Sequence, residues 1–432
     1  MMQFDIINLK RDIHYMGPLL IFDKSALQSF SLDESVWLEN FFLTNITPLF
    51  FVESLADLEK EISEGKTPED AVGALASKTP VNGSFSNVHH ALMFESDLMG
   101  SLISMDMRAI IHRGTTKQTP TGEISIFYKQ SPEEAAFQRW TDREFQEVER
   151  EVAKKWREAL SNLSFDSMIG LAKNIIPAGT HFSNMQDIKT FVDEFVKGKD
   201  KALLDLTFIV LGIRDDVSKS ITARWQKEGN PPLDIFAPYA SYALSVDLFL
   251  YLCMNSSFIS KERPSNKIDF AYLYYLPFCR VFVSNDNLHS RTVPLFLKRG
   301  QKFIAGADLK AGLKELDEYY SKLPEDVKEK GVMSFASYPP RDVNTFIGQL
   351  FNELGWAWQK DAEGKDKGTD LPPDEELLKR FKDIEDNTQI IKDQKSTTSD
   401  DADSVFFQRF SKTKRGKWYI LPKGIENTKK SQ

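Results

Sequence analysis

Four acidic residues border short apolar runs in this 432-residue chain. Asp23 ends Leu-Leu-Ile-Phe, and Glu53 ends Leu-Phe-Phe-Val with Asp57 four residues on. Far downstream, Asp269 opens Asp-Phe-Ala-Tyr-Leu-Tyr-Tyr-Leu-Pro, and Asp286 follows Val-Phe-Val-Ser-Asn. In an open α/β sheet, strand ends are where ligands and metals bind. Several carboxylates brought to one such place repel one another unless a cation offsets them, and hard cations take oxygen ligands. The chemistry expected is that of Mg²⁺ or Mn²⁺, which activates a water and stabilises charge developing on a phosphodiester.

These acids must be positioned by strands and helices. Residues 19–22 have strand length and follow Gly17-Pro18. Ser31 and Glu34 form a capping box for a helix to about residue 44. Residues 49–52 are expected as a second strand. The helix after it would present Glu53, Asp57 and Lys60 on one face, at i, i+4 and i+7. Either Glu53 or Asp57 could then face the metal. Beyond 269, the pattern predicts a short helix stopped by Pro277, a strand at 281–283, a turn at 284–287, a helix at 291–298, a strand at 302–305 and a helix at 308–322.

Between these blocks, residues 61–265 read as mostly helical, with helices expected at 132–163, 184–196, 201–211 and 235–254. A mobile loop is expected at 114–122 and a short strand at 124–128. After residue 330 the pattern weakens. Pro339-Pro340 introduces a helix to 358, another is expected at 375–387, and 393–403 has no apolar face. The basic, aromatic stretch 412–423 fits a nucleic-acid contact or a last strand packed through Trp418 and Ile420.

The blocks around the acids resemble the PIN-domain nucleases. Ile-Phe-Asp-Lys-Ser-Ala-Leu is similar to that family's first strand, its Asp followed two residues on by Ser or Thr. Val-Glu-Ser-Leu-Ala-Asp-Leu resembles the second acidic position. Asp269 matches the acid opening the helix before the fourth strand, and Val-Phe-Val-Ser-Asn-Asp the turn that supplies the last acid. The resemblance implies an α/β fold: a PIN-like, Rossmann-type parallel sheet in two parts, residues 17–60 and 266–330. The helical insertion 61–265 would split it, and a C-terminal extension, 331–432, would follow. It implies Asp23, Glu53, Asp269 and Asp286 as metal ligands, with Asp57 in reserve. Ser25, Ser284 and Lys60 would be substrate-side helpers.

The implied activity is Mg²⁺- or Mn²⁺-dependent hydrolysis of RNA or another single-stranded nucleic acid, most simply as an endoribonuclease. The insertion would serve for substrate selection or as a protein-partner surface, with room for a homo-oligomer. The alternative is a PIN-like scaffold without metal that acts through protein contacts. A phosphatase-like enzyme would want an Asp-x-Asp pair, and Asp23-Lys24-Ser25 does not supply one. A net charge of -8 excludes a global basic footprint, so nucleic acid must meet a local patch. Two cysteines, both in apolar surroundings, exclude a disulfide scaffold and a Cys-based zinc site. No signal peptide or membrane-spanning run is read, and a cytoplasmic location without membrane is expected. Weaker candidates are His89-His90, which point about 100° apart on a helix and form no chelate, and Arg108 and Arg113 beside His112, which could contact phosphate or lie on a solvated face.

Overall fold

The computed structural model describes residues 17–56, 65, 67–80, 84–110, 115–118, 124–127, 132–149, 151, 154–155, 164–355, 389–390, 414–420 and 422–423. Five short strands form one parallel sheet. They are β1 (Leu19–Phe22), β2 (Leu43–Ile46), β3 (Ser84–Ser86), and, after the antiparallel pair β4 (Thr115–Gln118) and β5 (Ile124–Phe127), β6 (Val281–Ser284) and β7 (Lys302–Ala305). Their order is β3-β2-β1-β6-β7, and every pairing is parallel. The chain walks outward from β1 through β2 and β3, then returns to the other side of β1. The strand order therefore reverses between β1 and β6, and the crevice beyond their carboxyl ends is where such sheets bind ligands.

Alternation in β1 and β6 divides the interior in two. Leu20, Phe22, Val281 and Val283 enter one core with Trp37, Phe50, Leu309 and Leu313. Ile21 and Phe282 enter the other, with Tyr239, Phe249, Tyr272 and Phe278. A strand with helices on both faces has no solvent side, which explains its continuous apolar reading. The second core is built on helix Pro238–Asn255, buried at every position from Tyr239 to Met254 except Tyr242. Asp97 caps the start of that helix, accepting from the backbone N–H groups of Tyr239 at 2.8 Å and Ala240 at 3.0 Å. Helices Asp166–Asn174, Met185–Phe195 and Lys201–Leu211 pack around it.

Several expectations change. Residues 49–52 are not a strand: they lie in helix Pro48–Ala56, and the strand is β2, six residues earlier. Pro48 starts that helix with its φ preset. The run is apolar because the helix is wedged between the cores, Leu49 entering one and Phe50 the other. The helix expected at 132–163 is interrupted: it runs over Pro132–Thr141, breaks where Arg143 adopts a left-handed φ of 62°, and described residues are helical again at 147–149, 151 and 154–155. The span 61–265 is not only an insertion, since β3 lies within it and pairs with β2. Part of the loop expected at 114–122 is strand β4, which also pairs with Gln389–Ile390. The helix expected at 291–298 is a shorter one, Asn287–Thr292, followed by a 3-10 turn. The segments 375–387 and 393–403 lie outside the described residues.

Of the two readings of the basic tail, the packed strand holds. Lys414–Arg415 and Trp418–Tyr419 form an antiparallel hairpin on helix Leu32–Phe41. Trp418 is buried edge-on against Trp37 at 4.7 Å, and Ile420 is buried beside it. Its cations engage acids of the fold, Arg415 with Glu39 at 2.6 Å and Lys417 with Asp317 at 2.6 Å. Both cysteines are buried, as expected. Among the described residues, no helix is long and apolar enough to cross a membrane.

Candidate active site

Each of the four acids reaches the crevice from a different element. Asp23 ends β1 and caps helix Lys24–Ser29, accepting from Ala26 N–H at 2.9 Å. Glu53 comes from the inner part of helix Pro48–Ala56, not from a strand end. Asp269 lies in helix Asn266–Ala271, and Asp286 caps helix Asn287–Thr292 just after β6. Asp57 and Lys60 lie outside the described residues.

Hydrogen bonds fix the acids closely. The Ser25 hydroxyl donates to the Asp23 carboxylate at 2.8 Å, and the Ser284 hydroxyl donates to Asp23 Oδ2 at 2.6 Å. Ser25 Oγ in turn accepts from Asn285 N–H at 3.1 Å, and Ser284 Oγ from Asp286 N–H at 2.9 Å. The turn that carries Asp286 is thus tied to Asp23 through both serines. Glu53 Oε2 accepts from the Tyr272 hydroxyl at 2.7 Å and lies 3.4 Å from Lys24 N–H.

The charges of these acids act on one another. Burial, then the Asp23 charge, then Asp269 push Glu53 up to about 8, against the Tyr272 hydrogen bond and Lys24. Burial pushes Asp269 up to about 6; His289 opposes this, and the charges of Asp286 and Asp23 add to it. Burial also works against ionised Asp23, but the hydrogen bonds and charge of His289 and Ser284 win and hold it below its ordinary value. Like charges 4–6 Å apart shift one another in this way, and distant exposed ones do not.

Sequence reasoning missed His289 and Tyr272. His289 is buried under the site, Nδ1 at 2.7 Å from Ser284 Oγ and 3.6 Å from Asp23 Oδ2, Nε2 at 2.7 Å from the Asp269 carbonyl. Burial disfavours its charged form, yet Asp23 and Asp269 raise it to about 9. With the Ser284 hydroxyl given to Asp23, the ring donates from both nitrogens, Nε2–H to Asp269 O and Nδ1–H to Ser284, the pattern of the charged form that its raised value favours. The available signal was a histidine three residues after Asp286, on the helix that acid opens. Tyr272 had its own signal, three residues after Asp269 and so on the same helical side.

The weaker candidates stay outside the site. His89 caps helix His90–Leu98, accepting from Ala91 N–H at 3.2 Å. His90 is half-buried against Tyr275, and desolvation holds its imidazole well below the ordinary value. Arg108 pairs with Asp106. Arg113 and His112 lie outside the described residues.

Among the described residues, no three or more His, Cys, Asp or Glu side chains are placed so that together they could hold a metal ion. What the crevice offers a hard cation is donor chemistry: carboxylate oxygens that repel one another, with neutral hydroxyls as neighbours. No family model matches the chain, and neither a curated protein nor a solved structure matches it.

Proposed function

We propose that this chain is a PIN-like, metal-dependent nuclease that hydrolyses RNA. The observation that carries the reading is that one hydrogen-bonded network of Ser25, Ser284, Tyr272 and His289 gathers the segments bearing Asp23, Glu53, Asp269 and Asp286 at the reversal point of a parallel sheet. Folding four elements so that acids crowd together is unfavourable in the absence of a counter-charge, and such clusters mark sites where charge is used. A divalent cation held by Asp23, Glu53, Asp269 and Asp286 would supply a polarised water and offset charge on the phosphodiester.

The chain's own residues prepare that site. Ser25 and Ser284 fix the rotation of Asp23. The Tyr272 hydroxyl and the Lys24 backbone N–H hold Glu53 Oε2 beside the first residue of the helix that Asp23 caps. His289 keeps Asp23 ionised. Asp286 and Asp269 are half-buried, so solvent and ions can reach them.

The test is cleavage of a single-stranded RNA with Mn²⁺ present and absent. Asp23→Asn is expected to abolish cleavage in a protein that still folds, and wild-type cleavage by that variant would sink the assignment.

A second reading has its own support. His289 already places a positive charge against Asp23, and no ready-made ligand set stands among the described residues. In that reading the fold is a scaffold whose imidazolium replaces the metal. Thermal stabilisation by Mn²⁺ that vanishes in Asp286→Ala favours the enzyme; no stabilisation favours the scaffold.

A further inference from the structure

The acidic crevice does not end at Asp23. On β2, Asn45 Nδ2 donates to the Phe278 carbonyl at 3.0 Å, which puts Asn45 on the face of the second core. Thr47 follows two residues on and shares that face. The ladder pairs Ile46 with Ser86, and Asn87 N–H continues it with a 2.9 Å bond to Ile46 O. Asn87 therefore lies beside Thr47. Carrying the β1–β2 and β1–β6 registers to the strand ends places Asn87, Thr47, Asp23 and Ser284 in one row across the sheet. The β1–β2 ladder pairs Leu19 with Leu43 and Leu20 with Thr44; continued three residues at the roughly 4.8 Å spacing of paired strands, that register sets Thr47 level with Asp23 and Asn87 beyond it.

The outer half of this row is unsatisfied. Asn45 Oδ1, Thr47 Oγ1 and both Asn87 Nδ2 and Oδ1 are buried without a hydrogen-bond partner. All three residues are at most 2% exposed. Buried amides and hydroxyls in folded proteins are almost always paired, and where protein groups are missing, ordered water takes their place. The group that answers them must both donate and accept. Asn45 Oδ1 wants a donor, while the Asn87 amide wants one donor and one acceptor whichever way it is flipped. A cation can serve only the oxygens. Water serves all four atoms.

We propose that Asn45, Thr47 and Asn87 hold a file of internal water that opens onto Asp23. These three uncharged side chains are positioning residues, acting on the carboxylates through that water, in the way that outer-shell partners orient the ligands of a charged site. The link to catalysis rests on the nuclease reading; the water file itself does not.

The test has two arms. A crystal structure of the full chain, at a resolution that shows solvent, should place waters within about 2.7–3.2 Å of Thr47 Oγ1 and of the Asn87 amide. An empty cavity, or Thr47 and Asn87 bonded directly to each other, overturns the proposal. Thr47→Val keeps the shape and removes the hydroxyl; it should lose the adjacent water and slow Mn²⁺-dependent RNA cleavage about tenfold. Thr47→Ser should restore both. Wild-type cleavage by Thr47→Val overturns the positioning role. Cleavage by Asp23→Asn would instead fail the nuclease reading alone, and the crystallographic waters would still decide this one.

Discussion

Ser284 and Asp23 are 261 positions apart, and the Ser284 hydroxyl donates to Asp23 Oδ2 at 2.6 Å. The contact exists because β1 and β6 are parallel neighbours, with Phe22 opposite Val283. The next residue on each strand is then Asp23 and Ser284, on the same face. His289 approaches the same serine from the following helix. The two distant halves of the candidate site are joined at this bond.

Ser284→Ala removes that link and leaves the buried His289 Nδ1–H without its acceptor. Unsatisfied buried donors cost about 1–3 kcal/mol. Urea denaturation should show a loss of that order, and a loss under about 0.5 kcal/mol would mean the bond is not formed in solution.

His289→Gln removes a positive charge from among the acids while keeping a side chain that can hydrogen-bond. The variant should melt below the wild type without metal, and Mn²⁺ should raise its melting temperature more than it raises that of the wild type. Thermal-shift assays read both quantities. An equal Mn²⁺ effect in the two proteins would show that imidazolium and metal do not share the site.

Glu53→Gln replaces a carboxyl that burial and the Asp23 and Asp269 charges already hold largely protonated at neutral pH, and it keeps an acceptor for Tyr272. Without metal its melting temperature should equal or exceed that of the wild type, while Mn²⁺ stabilisation disappears. Destabilisation in the metal-free protein would argue that Glu53 serves the fold rather than the site.

Asp97 gives a pH dependence away from the crevice. Burial raises it from 3.8 to about 6, against the hydrogen bonds it accepts from Ala240 and Tyr239 and the charge of Arg224. A raised carboxyl favours folding while protonated, so its contribution is complete below about pH 4 and is lost as pH rises through about 6. The shift corresponds to about 3 kcal/mol. Going from pH 7 to 4.5 should therefore shift the folding free energy further towards the folded state in the wild type than in Asp97→Asn.

Gly306 opens the helix Gly306–Tyr320, and a Cβ there would stand 2.7 Å from the Asn285 amide. Asn285 Oδ1 accepts from Ala307 N–H at 2.9 Å, and its own N–H reaches Ser25. Gly306→Ala should displace Asn285, loosen the turn bearing Asp286 and cost about 1–3 kcal/mol. Unchanged stability together with unchanged Mn²⁺ stabilisation would show that the turn tolerates the shift.

Much of this molecule was determined locally. The run 19–22 with its terminal acid, the Ser31 and Glu34 capping box, the strand at 281–283 and the strand at 302–305 rest on patterns a few residues long, and β1, the helix at Leu32–Phe41, β6 and β7 follow them. Asp23, Glu53, Asp269 and Asp286 could be named because acids flanking apolar runs are visible in one dimension. The run at 49–52 was misread because an apolar stretch of four looks the same as a buried strand and as a helix between two cores. Which side of β1 each later strand would take is a tertiary matter, as is β3 joining from within 61–265. So are the contacts of His289 and Tyr272, which depend on bonds between residues 20 or more positions apart. No local pattern carries such information, because the free energy that selects those contacts appears only when both cores close on the sheet at once.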